Sequence, residues 1–211
     1  MIARLLSCLI EDMLRGLSGP LGYRLRRFWY RRHFSACGSS LIIEPNVRIV
    51  GAEHIKVGDH VWLDQGAVLI AGPPRAEARI VAGPQSIGQL QIGNHCHLGL
   101  GTVVQAHGGV RIGDCFTSSA GVKIYSFSND PTECRNGTIG VEHNNPGYRI
   151  TPVDIGRNVW LGLDVLVLGA QIGDDCFLRP QAVAIDNIPA AQVAGGAPAR
   201  PLRPRFRKNA S

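Results

Sequence analysis

The chain has 211 residues, enough for one domain or a stacked repeat array and cramped for two independent domains. Its 26 glycines and its 6% of aromatic residues leave the core to aliphatic side chains, which favours stacked strands over a helical bundle. Most of the formal charge of +6 sits in the first 34 residues, where seven arginines face only Glu11 and Asp12; a basic stretch so short, and apolar on one side, argues against a nucleic-acid surface.

In residues 5–17, Leu5, Leu6, Leu9, Ile10, Met13, Leu14 and Leu17 recur at helical spacing, and Gly19-Pro20 ends that predicted helix. A second predicted helix puts Leu21, Leu25, Phe28 and Trp29 on one side and Arg24, Arg27 and Arg31 on another. An apolar face beside a cationic one suits peripheral association with a membrane surface, and it also suits a helix packed on the protein's own body with a solvated basic side. The start MIARLLSCLI is cut by Glu11-Asp12 after too few residues to span a bilayer and carries no clear cleavage site. Six cysteines (Cys8, Cys37, Cys96, Cys115, Cys134, Cys176) form no CxxC pair and read as free thiols of a reducing cytoplasm. Residues 1–38 therefore form an amphipathic, basic helical segment.

From residue 41 a six-residue period takes over. Its starters are Ile43, Ile49, Val57, Leu63, Leu69, Ile92, Leu98, Val104, Ile112, Ser118, Ile124, Ile155, Leu161, Val167, Ile172, Leu178 and Ala184, fifteen of the seventeen being Ile, Leu or Val. Small residues fall four positions later, as at Val61, Ala67, Cys96, Thr102, Val159, Val165, Cys176 and Ala182. Each unit predicts a short strand with its aliphatic side inward, then a corner where Gly, Asn or Asp takes unusual backbone angles. Three units make a coil of about eighteen residues, and stacked coils pair in parallel at roughly 4.8 Å. The predicted class is an all-β solenoid over residues 39–203, with a basic tail at 204–211. Two stretches leave the period, 70–89 and 125–152, and because the coils resume in phase both read as loops thrown out from a corner.

This pattern resembles the hexapeptide-repeat acyltransferases, whose fold is a left-handed parallel β-helix. The likeness covers about residues 40–203 and is most specific in VDIGRNVWLGLDVLVLGAQIGDD (153–175) and DNIPAAQVAGGAPARPL (186–202). Within the family it points to the sugar and surface-polysaccharide O-acetyltransferases. The resemblance alone implies the left hand, a homotrimer, and acetyl-CoA as donor with no metal. It also implies a sugar hydroxyl of a surface polysaccharide or lipid-linked glycan precursor as acceptor. The basic helices would then hold a cytoplasmic protein at the inner face of the cytoplasmic membrane.

A sugar hydroxyl needs a general base to attack a thioester, and histidine, titrating near 6.5, is the natural one. The family carries its base just after the strand that here reads VKIYS, where this chain has Asn129, a neutral amide that accepts no proton at a useful pH. Two histidines could stand in. His143 lies in the same excursion, with Asp130 or Glu142 to fix its tautomer; its bland reading is a solvated loop residue. His107 sits at a coil corner one turn earlier; its bland reading is a side chain that bonds a neighbouring coil. For coenzyme A the resemblance implicates Trp160, Gly162, Gly169 and Ala170, with Arg200 or Arg203 for phosphate. Trp160, like Trp62, could instead seal a trimer interface.

His95 and His97 flank Cys96, but Cys96 falls on an inward position and reads as core filling. His33, His54 and His60 read as surface residues. The final coil, with Leu178-Arg179-Pro180-Gln181 where relatives are glycine-rich, departs from the family. Together with Asn129 it keeps open a second reading, a catalytically inactive hexapeptide-repeat scaffold. A metal-dependent hydratase on the same fold would need three converging histidines, and no such trio is patterned here.

Overall fold

The computed structural model describes residues 2–74, 79–80, 87–129 and 148–206. Two helices, α1 (Ile2–Gly16) and α2 (Gly19–His33), lead into short strands that visit three parallel sheets in strict rotation. The first face runs Ala36–Cys37, Ile55–Val57, Leu90–Ile92, Val110–Ile112, Val153–Ile155, Gln171–Ile172. The second runs Leu41–Ile43, Val61–Leu63, His97–Leu98, Thr117–Ser118, Trp160–Leu161, Phe177–Leu178, and the hairpin Gln192–Gly195 with Arg200–Pro204 extends it. The third runs Arg48–Val50, Val68–Ile70, Val103–Gln105, Lys123–Tyr125, Leu166–Leu168, Val183–Ala184. The result is six stacked coils forming a three-sided prism.

Strands this short hold only because their partners above and below are in register, so each inward side chain lands on its counterpart one coil away. All seventeen starters of the six-residue period are buried, and so are the small residues four positions on. The ladder Leu63, Leu98, Ser118, Leu161, Leu178 shows how an odd member is absorbed. Ser118 is buried, but its hydroxyl meets Thr102 Oγ1 at 2.9 Å and takes the Gly99 N–H at 3.0 Å, so that hydroxyl keeps its partners inside the core.

The corners are as regular as the faces. Between the first and second faces one residue per coil adopts a left-handed conformation, at His60, His95, Cys115, Asn158 and Asp175. The expectation of Gly, Asn or Asp there holds only for the last two. Stacking compensates the imidazoles, whose rings at His60 and His95 lie 4.9 Å apart. The preceding residue ties the coils together: the side-chain oxygens of Asn94, Asp114 and Asp174 accept the backbone N–H of Asp59, Asn94 and Arg157, each in the neighbouring coil, at 2.8, 2.7 and 2.7 Å.

The helices close the open end of the prism. Arg26, buried, donates through Nε to the Ile43 carbonyl at 2.8 Å and through Nη1 to the last carbonyls around α1, Leu14 at 2.9 Å and Leu17 at 2.5 Å. One guanidinium thus caps α1 and pins both helices to the first coil. Desolvation lowers its pKa from the usual guanidinium value. The side of α2 that faces the body is Gly22, Arg26 and Tyr30, so the apolar stripe Leu21, Leu25, Phe28 points outward. The far end is held by Arg205, which donates to the carbonyls of Cys176, at 3.0 Å, and Asn158.

The two excursions leave from the same corner, between the third and first faces, and the first face resumes at Leu90 and at Val153. The sequence treats them as two independent loops. Their necks instead share a small sheet: Phe127–Asn129 runs antiparallel to Tyr148–Ile150, which pairs in parallel with Arg79–Ile80.

Truncating a fully buried ladder residue in mid-prism opens a cavity that rigid neighbours cannot fill, so Leu98→Ala is expected to lower stability by about 2–5 kcal/mol in equilibrium denaturation.

Candidate active site

The third-to-first corner is where the coils differ most. It takes four residues between Val50 and Ile55 and four between Gln105 and Val110, but it also accommodates both excursions. Stacking aligns the residues there by coil: Gly72 lies under His107, and His107 lies under Phe127, because Ile70, Gln105 and Tyr125 are register partners. His107 therefore stands at the root of both excursions.

Its contacts follow from that position. Nδ1 of His107 lies 3.0 Å from the Gly72 carbonyl oxygen, and the ring meets Phe127 edge-on with centroids 5.5 Å apart. The backbone closes the same knot, with Gly88 N–H donating to the His107 carbonyl at 3.0 Å and Gly72 N–H to the Gly88 carbonyl at 2.8 Å. A carbonyl oxygen can only accept, so Nδ1 carries the proton and the neutral ring keeps its lone pair on Nε2. That is the tautomer a general base needs. One coil above, Ser126 is buried and fixed, donating to Gln105 O at 2.8 Å and accepting Gly108 N–H at 3.0 Å. Gly108 has no room for a side chain, because a Cβ there would lie 2.0 Å from Ser126 O and 3.0 Å from the buried Ile150.

Asn129 ends the strand after Phe127, its backbone opposite Tyr148. His143, Asp130 and Glu142 lie outside the described residues.

The residues assigned to coenzyme A fall at two corners of one prism. Trp160 lies outward on the second face, half exposed, its Nε1 3.3 Å from Ser119 Oγ and its ring edge-on to Phe177. Gly162 follows it at the second-to-third corner, whereas Gly169 and Ala170 share the third-to-first corner with His107, two coils on. The amides of both glycines are already used, Gly162 N–H by Leu178 O at 2.9 Å and Gly169 N–H by Tyr125 O at 3.1 Å. They offer a close backbone approach and no spare donor. Ala170 is fully buried with its methyl in the core, and Arg200 bonds Asp186 Oδ2 at 2.6 Å on the exposed C-terminal hairpin.

His97 had no assigned partner in the sequence, and it has one here. Its Nε2 lies 3.0 Å from Asp64 Oδ2 on the second face, with Trp62 beside it at 5.1 Å. The pair is 33 residues apart in the chain and one coil apart in space, so only folding out the first excursion reveals it. Cys96 is buried as expected, and burial pushes its thiol up to about 11. Among the described residues, no group of three metal-ligating side chains converges.

The family described as hexapeptide repeat of succinyl-transferase matches residues 89–126 and 152–179. A Mycobacterium tuberculosis protein named "Probable acetyltransferase" is 30% identical over 162 residues, 72% of this chain and 52% of its own length, so the chain spans about half of that relative. An Escherichia coli protein named for an acetyltransferase role in colanic acid biosynthesis is 23% identical over 87% of this chain and 76% of its own. Among solved structures, an N-acyltransferase from Bacillus cereus in complex with dTDP and coenzyme A superposes with a TM-score of 0.70 at 17% identity, covering 86% of this chain and 90% of its own. That last likeness shows the shared fold. The chain carries hexapeptide repeats and is similar to proteins named as acetyltransferases.

The tautomer is directly measurable. A long-range 1H–15N spectrum at a pH where the ring is neutral is expected to show His107 protonated at Nδ1; an Nε2–H ring would contradict the Gly72 contact.

Proposed function

We propose that the protein is a CoA-dependent acyltransferase, specifically an O-acetyltransferase that moves acetyl from acetyl-CoA to a sugar hydroxyl of a surface polysaccharide or lipid-linked glycan precursor. The observation that carries the reading is the His107 imidazole, held by Gly72 with Nε2 unprotonated at the root of the two excursions. Similarity to the M. tuberculosis and E. coli proteins, named for acetyl transfer and, in the second case, for colanic acid biosynthesis, supports the donor and the acceptor class.

The chemistry asks little more of the protein. Nε2 of His107 takes the proton of the acceptor hydroxyl as its oxygen attacks the thioester carbon. The C–O bond forms, the C–S bond breaks, and the proton passes from His107 to the departing thiolate of coenzyme A. Neither a covalent enzyme intermediate nor a metal enters these steps.

In this proposal the coil is left-handed and the working unit is a homotrimer. Trp62, Leu100, Trp160 and Leu163 expose large apolar area along the second face and its following corner, which a second copy would cover. Such packing would set Trp160 and Gly162 of one copy against the corner holding His107, Gly169 and Ala170 of the next, uniting two groups that one prism keeps apart. Arg200 would exchange Asp186 for a phosphate of the coenzyme. A second reading, the inactive scaffold, is favoured by Asn129 at the position where the resemblance implies histidine.

Coenzyme A release over a panel of sugar acceptors tests both. His107→Gln is expected to lower kcat by about 10²–10⁴-fold, while His143→Ala keeps most of the rate. Loss in His143→Ala with none in His107→Gln would move the base into the second excursion. No turnover with any acceptor would favour the scaffold.

A further inference from the structure

The helix pair leaves its apolar side unused. In α2 the buried positions are Gly22, Arg26 and Tyr30, and in α1 Leu14 is the buried apolar side chain among those described. The outward stripes are Leu6, Leu9, Met13 and Leu17 on α1 and Leu21, Leu25 and Phe28 on α2, between 37% and 73% exposed. Leu17 and Leu21 bracket the turn that joins the helices, so one stripe hands over to the other. Seven large apolar side chains at one end of a prism are more than scattered surface hydrophobes, and such a patch marks an interaction site.

The charge around the stripe selects the partner. The α2 segment GPLGYRLRRFWYRRH has no acidic residue, and Arg24, Arg31 and Arg32 are exposed. Arg32 lies over the Phe28 ring at 3.5 Å and bonds the Phe28 carbonyl at 3.1 Å, which fixes its charge at the edge of the apolar stripe. Arg26, the buried arginine of α2, ties the two helices to each other and to the first coil. Neither helix is long and apolar enough to cross a bilayer. Fifteen-residue helices with apolar stripes, here joined to a cationic rim on α2, instead lie flat in a lipid interface, stems among the acyl chains and the α2 guanidinium groups at the phosphates. A second copy placed on this face would oppose arginine to arginine, whereas anionic headgroups complement it.

We propose that the outer face of α1 and α2 docks the protein on an anionic membrane surface, the apolar stripe entering the interface and Arg24, Arg31 and Arg32 binding lipid phosphates. This docking is independent of the acyltransferase reading, and its test does not depend on turnover. Full-length protein is sedimented with vesicles of phosphatidylcholine alone or of phosphatidylcholine with phosphatidylglycerol. It is expected to bind the second and not the first, and to be released by high salt. The doubly substituted Leu21→Asp, Phe28→Asp protein is expected to stay in the supernatant, and Arg24→Gln, Arg31→Gln to lower the partition coefficient by about tenfold, with unfolding midpoints unchanged. Equal recovery of the wild type in both supernatants would overturn the proposal, as would binding unaffected by both sets of substitutions. A fall in the sedimentation-velocity mass of Leu21→Asp, Phe28→Asp would also overturn it, by showing that a second copy covers this face.

Discussion

Everything in this molecule depends on parallel register. Strands of two or three residues have no stability of their own; they persist because each is hydrogen-bonded to an identical position one coil above and below, so that Lys56, Gln91, Arg111 and Asp154 stand in one outward row with their aliphatic neighbours in the row beneath. Inserting residues within a face would break every ladder that crosses it. Extra chain is tolerated only at corners, and here it is thrown out twice at the same corner, which is why two segments far apart in sequence form one small sheet.

That constraint also makes the candidate site. A corner residue between two excursions is held from both sides by backbone that cannot shift without shifting the prism, and His107 occupies that place. The imidazole is oriented by a main-chain carbonyl instead of a carboxylate, so its tautomer is set without an added charge. The glycines around it serve close packing, since their amides are already used, Gly72 by Gly88, Gly88 by His107 and Gly108 by the Ser126 hydroxyl. The Asn129 backbone pairs with Tyr148 in the sheet of the excursions, so the position where the resemblance implies a base belongs to this same small sheet.

The repeat was legible because burial of the faces imposes a strict period, and each inward position read from the sequence, down to Ser118 and Cys96, is an inward position in the structure. The helices were legible as helices, but the period of apolar residues does not say which side packs. Here the inward side is marked by Gly22, where a Cβ would meet the Leu17 carbonyl of the interhelical turn, and by Arg26, whose partners are carbonyls that carry no sequence signal. The knot of Gly72, Gly88, His107 and Phe127 was hidden for a related reason: its members become neighbours only when the excursions are folded out and the coils are aligned. His97 with Asp64 was hidden in the same way.

The most direct test of the account is a crystal structure of the full chain with coenzyme A. The account predicts the thiol sulfur at the third-to-first corner, within hydrogen-bond or single-water reach of His107 Nε2, with the pantetheine passing Trp160 of a neighbouring copy. A sulfur placed beside the second-face pair of His97 and Asp64, or on a face away from both excursions, would contradict it.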